Sequence, residues 1–224
     1  MSKITLEPNS SGAGTFSIVS PDSNTNRTLN LPDASGNIIA ADASTDRVRS
    51  VNMPTESVIQ VVHNVDDFGR LFSGIPSGSW QSSYNNLDTT ITPIHSNSKL
   101  LVIYSINYGG CKSDDTSTGS VFIRATRNGS FDGELNGGDN RAGYRCFSQF
   151  RTFDDRHQFH MNQGVLYRII EPQTTSSLTF GLDFRLQSGG RFTINRDPST
   201  GSDSSRGGHS PTGISTITLM ELRQ

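Results

Sequence analysis

A chain of 224 residues is long enough for one sizeable β domain and a smaller piece beside it. Hydrophobic residues make up 32% and charged residues 18%, and Ser, Thr, Asn and 22 glycines stand where helix formers would be. Helix formers never cluster, so this is the composition of short strands joined by polar turns. A net charge of −2 and an isoelectric point near 6.2 give no bulk electrostatic ground for binding nucleic acid or a membrane surface. No apolar run approaches the length of a membrane-spanning helix. The start, MSKITLEPNSS, lacks the apolar region of a secretory signal, so the expectation is synthesis in a cytoplasm and release by another route such as lysis.

Residues 1–42 read as one unit. Short alternations (Ile4 and Leu6; Phe16 and Ile18; Leu29 and Leu31; Ile38 and Ile39) are separated by the turn clusters NSSGAG, PDSNTN and PDASGN. Period two with turn punctuation is strand grammar, here for four short strands. Each strand offers two or three apolar side chains, too few for a self-sufficient sheet. The missing burial has two sources open to it: the following domain, or identical copies around an axis. Residues 43–56, ASTDRVRSVNMPTE, read as a linker.

From residue 57 strand signals crowd together. SVIQVVHNV, LDTTITPI, SVFIRATRNGS, YRCFSQFRTF, VLYRIIEP, SLTFGLDFRLQ, RFTINRD and ISTITLMELR each carry one. The strongest is SKLLVIYSINYGG (98–110), apolar on both parities, which predicts a central strand buried on both faces. Val121 and Ile123 fall on one parity and Arg124 and Thr126 on the other, before an Asn128-Gly129 turn. LDFRLQSGGRFTINR reads as a hairpin turning at Ser188-Gly189-Gly190. The fold class expected is all-β: a short N-terminal β-hairpin unit, then an antiparallel jelly-roll-like β-sandwich over 57–224.

The search for chemistry yields little. GxSxG, HExxH, GxxxxGK[ST] and GxGxxG are absent. His157 and His160 in DDRHQFHM sit three apart in a strand-like context, which sends them to opposite faces, against joint metal binding. Asp114-Asp115 lacks a third acid at a supporting spacing and reads as a solvated turn. Asp154, Asp183 and Asp197 could supply a carboxylate pair, as in any β protein of this size. The arginines from 124 to 151 are interleaved with Asp132, Glu134 and Asp139, a mixed solvated face. Cys111 and Cys146 have no metal-site spacing, and one bridge or two free thiols both fit. No cofactor is expected.

Aromatic residues are more informative. Tyr144, Phe147, Phe150 and Phe153 recur every three residues, so a regular strand would place two on each face and leave one pair to be covered by a neighbouring subunit; a bulged strand is the other reading. Residues 66–86 read as a long loop carrying Phe68, Leu71, Phe72, Trp80 and Tyr84 among Ser, Gly and Asn. Rings beside small polar groups suit contact with sugar or protein, and they also suit pinning a loop to its own domain. Phe72, Trp80 and Tyr84 are therefore the receptor-contact candidates. Residues 197–213, DPSTGSDSSRGGHSPTG, form a long polar loop between strands.

The opening stretch ITLEPNSSGAGTFSIVSPDSNTNRTLNLPDASGNII resembles the N-terminal repeat of tail-fibre and other virion proteins of phages, especially those of marine and cyanobacterial hosts. The marks are Gly14-Thr15-Phe16-Ser17-Ile18, Asn26-Arg27-Thr28, Leu31-Pro32-Asp33 and Gly36-Asn37-Ile38. The second half resembles that group's C-terminal module at Ile91-Thr92-Pro93, at Ser96 to Val102 and at Ser215 to Glu221. The resemblance implies a non-enzymatic virion component: a homotrimer with residues 1–42 as stalk or attachment segment and a jelly-roll head. Phe16, Ile18, Leu29, Leu31 and Ile38 are then the candidates for the trimer contact or virion anchor. The partners implied are further copies of the chain, other virion proteins through residues 1–42, and a glycan or receptor on the host surface, with no nucleic acid and no membrane. The place implied is the virion, as a short tail fibre. A capsid fibre or decoration protein and a soluble trimeric lectin are the alternatives.

Overall fold

In the computed structural model the residues described are 53–82, 85–111, 119–136, 145–152, 161–187, 189–196 and 213–224, with short pieces at 11–12, 24–26, 41–42 and 47–48. The chain divides into two compact units, Met1–Ile38 and Ile39–Gln224. Phe16, Ile18, Leu29, Leu31 and Ile38, and the four expected N-terminal strands, lie outside the described residues. Inside the second unit, the stretch expected to be a linker contains part of a small antiparallel ribbon, β1 (Ala41–Asp42) with β2 (Arg47–Val48).

The remainder is an all-β antiparallel sandwich of two six-stranded sheets. Its strands are β3 (Val58–Asp66), β4 (Arg70–Ile75), β5 (Trp80–Gln81), β6 (Thr89–Ile91), β7 (Lys99–Cys111), β8 (Gly119–Arg127), β9 (Ser130–Phe131), β10 (Ser148–Thr152), β11 (Met161–Ile170), β12 (Leu178–Leu186), β13 (Gly190–Ile194) and β14 (Ser215–Leu222). Several are pieces of one line. β13 pairs with the end of β7 (Ile194↔Tyr108) and β14 continues along the same edge (Thr216↔Ser105). β4 and β3 flank that line in the same order. β5 and β6 share one edge of β12, and β9 and β10 one edge of β8.

With the collinear pieces joined, the first strand pairs with the last and the second (β5 with β6) with β12. Inside these, β7 pairs with β11 and β8 with β10. This nesting is one long antiparallel hairpin rolled into two layers, the jelly-roll topology expected from the sequence. The first sheet runs β11–β7–β14/β13–β3/β4 and the second β10/β9–β8–β12–β6/β5.

Alternation builds the core. Leu100, Val102, Tyr104, Ile106 and Tyr108 of β7 point inward and are fully buried against Val121, Ile123 and Ala125 of β8 and the even-numbered apolar residues of β12. Phe184 and Phe192 stack at 4.0 Å, one from each sheet, and Phe72 adds its ring 5.3 Å from Phe184. The turn at Asn128-Gly129 has both residues at positive φ (52° and 72°), as a two-residue turn between β8 and β9 requires.

Three expectations are corrected. LDFRLQSGGRFTINR is not a hairpin: β12 and β13 belong to different sheets. Both edges of β12 are already taken, by β8 and by β5 with β6, so the chain cannot fold back beside it. Gly189 (φ 72°) and Gly190 (φ 124°) instead carry it across the sandwich. Residues 66–86 are not one long loop, because β4 and β5 lie within them. β7 is central but not buried on both faces: Leu100, Val102 and Tyr104 are fully buried, whereas Leu101 and Ile103, on its outward parity, are only half-buried.

Candidate functional site

The sandwich has two outward faces, and their chemistry differs. On the first sheet the registers place outward residues in rows across four strands. Val165, Ser105, Thr216 and Val65 form one row. Tyr167, Ile103, Thr218 and His63 form the next, and Ile169, Leu101, Met220 and Val61 the third. Lys99, Leu222 and Val58 close the patch. Tyr167 is 74% exposed, Ile169 57%, Val61 55% and Val165 54%. None of these positions is acidic. Lys99 stands at one corner, and His63 on the β3 edge is tied to Thr218 Oγ1 through Nδ1 at 2.7 Å.

Four strands about 4.8 Å apart and rows about 6.8 Å apart give a patch on the order of 500 Å² in projection. That is at the upper end of what monomers leave bare. Removing it from water contributes on the order of 10 kcal/mol before the costs of association are set against it.

The second sheet closes its outward face with its own side chains. Arg124 of β8 lies directly across the ladder from Asp183 of β12. Its Nε and Nη2 both donate to Asp183 Oδ2, at 2.8 and 2.6 Å. The guanidinium carbon lies 4.2 Å from the Trp80 ring centroid and 5.2 Å from that of Phe131. Burial pushes the Asp183 carboxyl above its ordinary pKa, and the Arg124 guanidinium offsets part of that rise. One step along, Asp88 occupies the space that Gly181 leaves open: a Cβ there would collide with Asp88 Oδ1. Burial raises the Asp88 carboxyl as well. Arg124 and Asp183 answer each other on this face through Asp183 Oδ2, while Asp183 Oδ1 is buried without a hydrogen bond and Phe131 stays 38% exposed beside half-buried Trp80. Such a surface can stack against a planar group or a sugar ring.

Two inner knots hold the frame for these faces. Glu221, fully buried at the end of β14, accepts the backbone N–H groups of Ile94 (2.8 and 2.9 Å) and His95 (3.1 Å). One carboxylate thus ties the turn between Pro93 and Ser96 to the last strand. At the break between β13 and β14, Asn195 (φ 57°) donates to Asp66 O at 2.6 Å and accepts from Ser215 Oγ at 2.6 Å. Gly213 N donates to Asn195 O at 3.1 Å, which joins β13 to the start of β14.

Of the receptor-contact candidates, Trp80 lies on the outward face of the second sheet, in β5, stacked on Arg124. Phe72 lies in β4 with its ring among Phe184 and Phe192, in the sandwich interior. Tyr84 is outside the described residues, as are Tyr144, Phe153, His157, His160, Asp114, Asp115, Asp154 and Asp197. Phe147 packs inward, 5.5 Å from Tyr104. Cys146 is a free thiol whose pKa burial pushes up. Among the described residues no group of three His, Cys, Asp or Glu side chains could hold a metal ion.

Sequence reading missed the apolar outward face. The signal was present: VLYRIIEP, like SKLLVIY, is apolar on both parities. Comparison of the chain with protein-family models gives no match, and comparison with curated proteins gives none either.

Proposed function

We propose that the chain is a phage virion structural protein, a short trimeric tail fibre or tail-associated fibre used in attachment to the host surface. The observation that carries the reading is the bare apolar face of the first sheet. A jelly roll with one outward face that carries an internal ion pair and one that is apolar and exposed is suited to assembly, and the motifs at Gly14 to Ile18, Asn26 to Thr28 and Leu31 to Ile38 supply the resemblance to virion proteins. Residues 1–42 attach to the particle in this reading, and the head faces the host. The role is structural, without a catalytic step.

The test is co-sedimentation with fibreless particles. The full chain should bind them, and a chain lacking residues 1–42 should stay folded and remain in the supernatant. Binding to empty capsids but not to tails would move the protein to the capsid surface. Binding of the shortened chain would remove the anchor role.

A lectin-like reading has its own support in Trp80 and Phe131, which flank Arg124 on the face turned away from the bare sheet. Trp80→Ala should abolish binding to host cells or to their lipopolysaccharide while the head remains folded. Unchanged binding would remove this face from host recognition.

A further inference from the structure

We infer that the outward face of the β11–β7–β14–β3 sheet is a self-association surface, covered in solution by the same face of other copies of this chain. The inference deepens the homotrimer of the proposed function. It rests on that reading only for the number of copies, and it places the contact in the head rather than in residues 1–42.

Charge points to a copy rather than a foreign partner. A face docking on its own copy sets the residues near the symmetry axis against themselves, so a charge at its centre would meet its like. The outward positions carry no acid, and Lys99 lies at a corner, outside the rows of Val165, Tyr167 and Ile169. The opposite sheet instead turns Arg124, Asp183 and Asp88 outward, and there Arg124 pairs with Asp183 inside the chain.

Size and stiffness point the same way. A specific interface takes about 800 Å² of accessible surface from each partner, and interfaces between permanent partners resemble a core cut in half. The patch, on the order of 500 Å² in flat projection and larger with side-chain relief, is of that scale. Its residues are mostly Val, Ile and Thr, branched at Cβ, which have little rotamer freedom to lose on docking. Both exposed flanks, Val61 on β3 and Ile169 on β11, belong to one continuous row through Met220 and Leu101.

Light scattering on the full chain tests this. Wild type should run at two or three times 24.3 kDa, and Ile169→Arg and Val61→Arg should each run at 24.3 kDa at the same concentration. Both positions are more than half exposed in the single chain, so the new charge remains solvated. A monomeric wild type, or folded variants that keep the wild-type mass, would overturn the inference.

Hydroxyl-radical footprinting of the wild type needs no variant. Tyr167 and Met220 should be shielded at assembly concentrations and oxidised faster on dilution. Equal rates at both would also overturn it. Particle binding is scored separately. A multimer that binds no particle keeps this interface and removes the appendage reading, and a monomer that binds does the reverse.

Discussion

On one sheet the outward position of Arg124 is answered across the ladder by Asp183 and flanked by Trp80 and Phe131; on the other, outward Ile103 stands half-buried between Thr218 and an exposed Tyr167. Both faces belong to one jelly roll and both strands at issue, β8 and β7, are central. The difference shows what a single chain can complete by itself. A polar outward face can pair its charged groups with neighbours in its own sheet, because charge and hydrogen bonding are pairwise. An apolar outward face has no such partner within a sheet. It needs a second layer, and the chain spends its second layer on the core.

The comparison breaks most sharply at Asp183. Asp183→Ala leaves the Arg124 guanidinium, only 19% exposed at its side chain, without its counter-charge. The expected loss is about 3 kcal/mol, measured by urea unfolding. In a double-mutant cycle with Arg124→Ala the two losses should be strongly non-additive. Additive losses would mean that the pair is not what closes this face. Trp80→Ala should cost less, about 1 kcal/mol, since one stacked cation and part of a ring are lost. On the apolar face the same experiment should do almost nothing to the fold. Tyr167→Ser, measured on dilute protein to separate folding from association, should change stability by about 0.5 kcal/mol or less. A loss as large as that from Asp183→Ala would mean that the face is already covered within the chain.

How far the sequence discloses these faces depends on how local the signal is. The parity of Val121 and Ile123 against Arg124 and Thr126 separates inward from outward correctly, because side-chain alternation belongs to the strand itself. Asn128-Gly129 turns as its residues require. Ser188-Gly189-Gly190 has similar turn chemistry and does something else, because the path of the next strand is decided by the edges of β12, occupied by strands far away in sequence. The double-parity apolar run of β7 is readable, and it implies a need for cover on both sides; that its outward residues end only half-buried is not written in any local pattern. Trp80, Arg124 and Asp183 meet across long separations, 59 residues for the ion pair alone, and only the fold brings them together. Phe72 misleads because an aromatic ring in a Ser- and Gly-rich stretch reads alike whether it faces out or, as here, into the sandwich.

The finest test of the comparison is the pH dependence that a partly buried carboxylate gives the polar face. Asp88 sits over Gly181, where the missing Cβ makes room for it, and Thr126 Oγ1 borders the same space. Burial raises its pKa in the folded state, whereas the unfolded chain leaves it at its ordinary value. The folded protein therefore takes up this proton first as pH falls. Its contribution to stability is fully present below the unfolded-state pKa and is lost as pH rises through the folded-state pKa. Asp183 is shifted in the same direction and stays in place in an Asp88→Asn variant. Urea midpoints for wild type and Asp88→Asn should therefore converge or cross as pH is lowered from 7 towards 4.5, with wild type gaining relative to the variant. A constant gap would show that Asp88 is as well hydrated in the fold as in the unfolded chain. The apolar face, whose rows carry no carboxylate, should give no such acidic shift when Tyr167 or Ile169 is replaced by Ser. If those variants altered the slope in this range, the separation of the two faces into one that titrates and one that associates would fail.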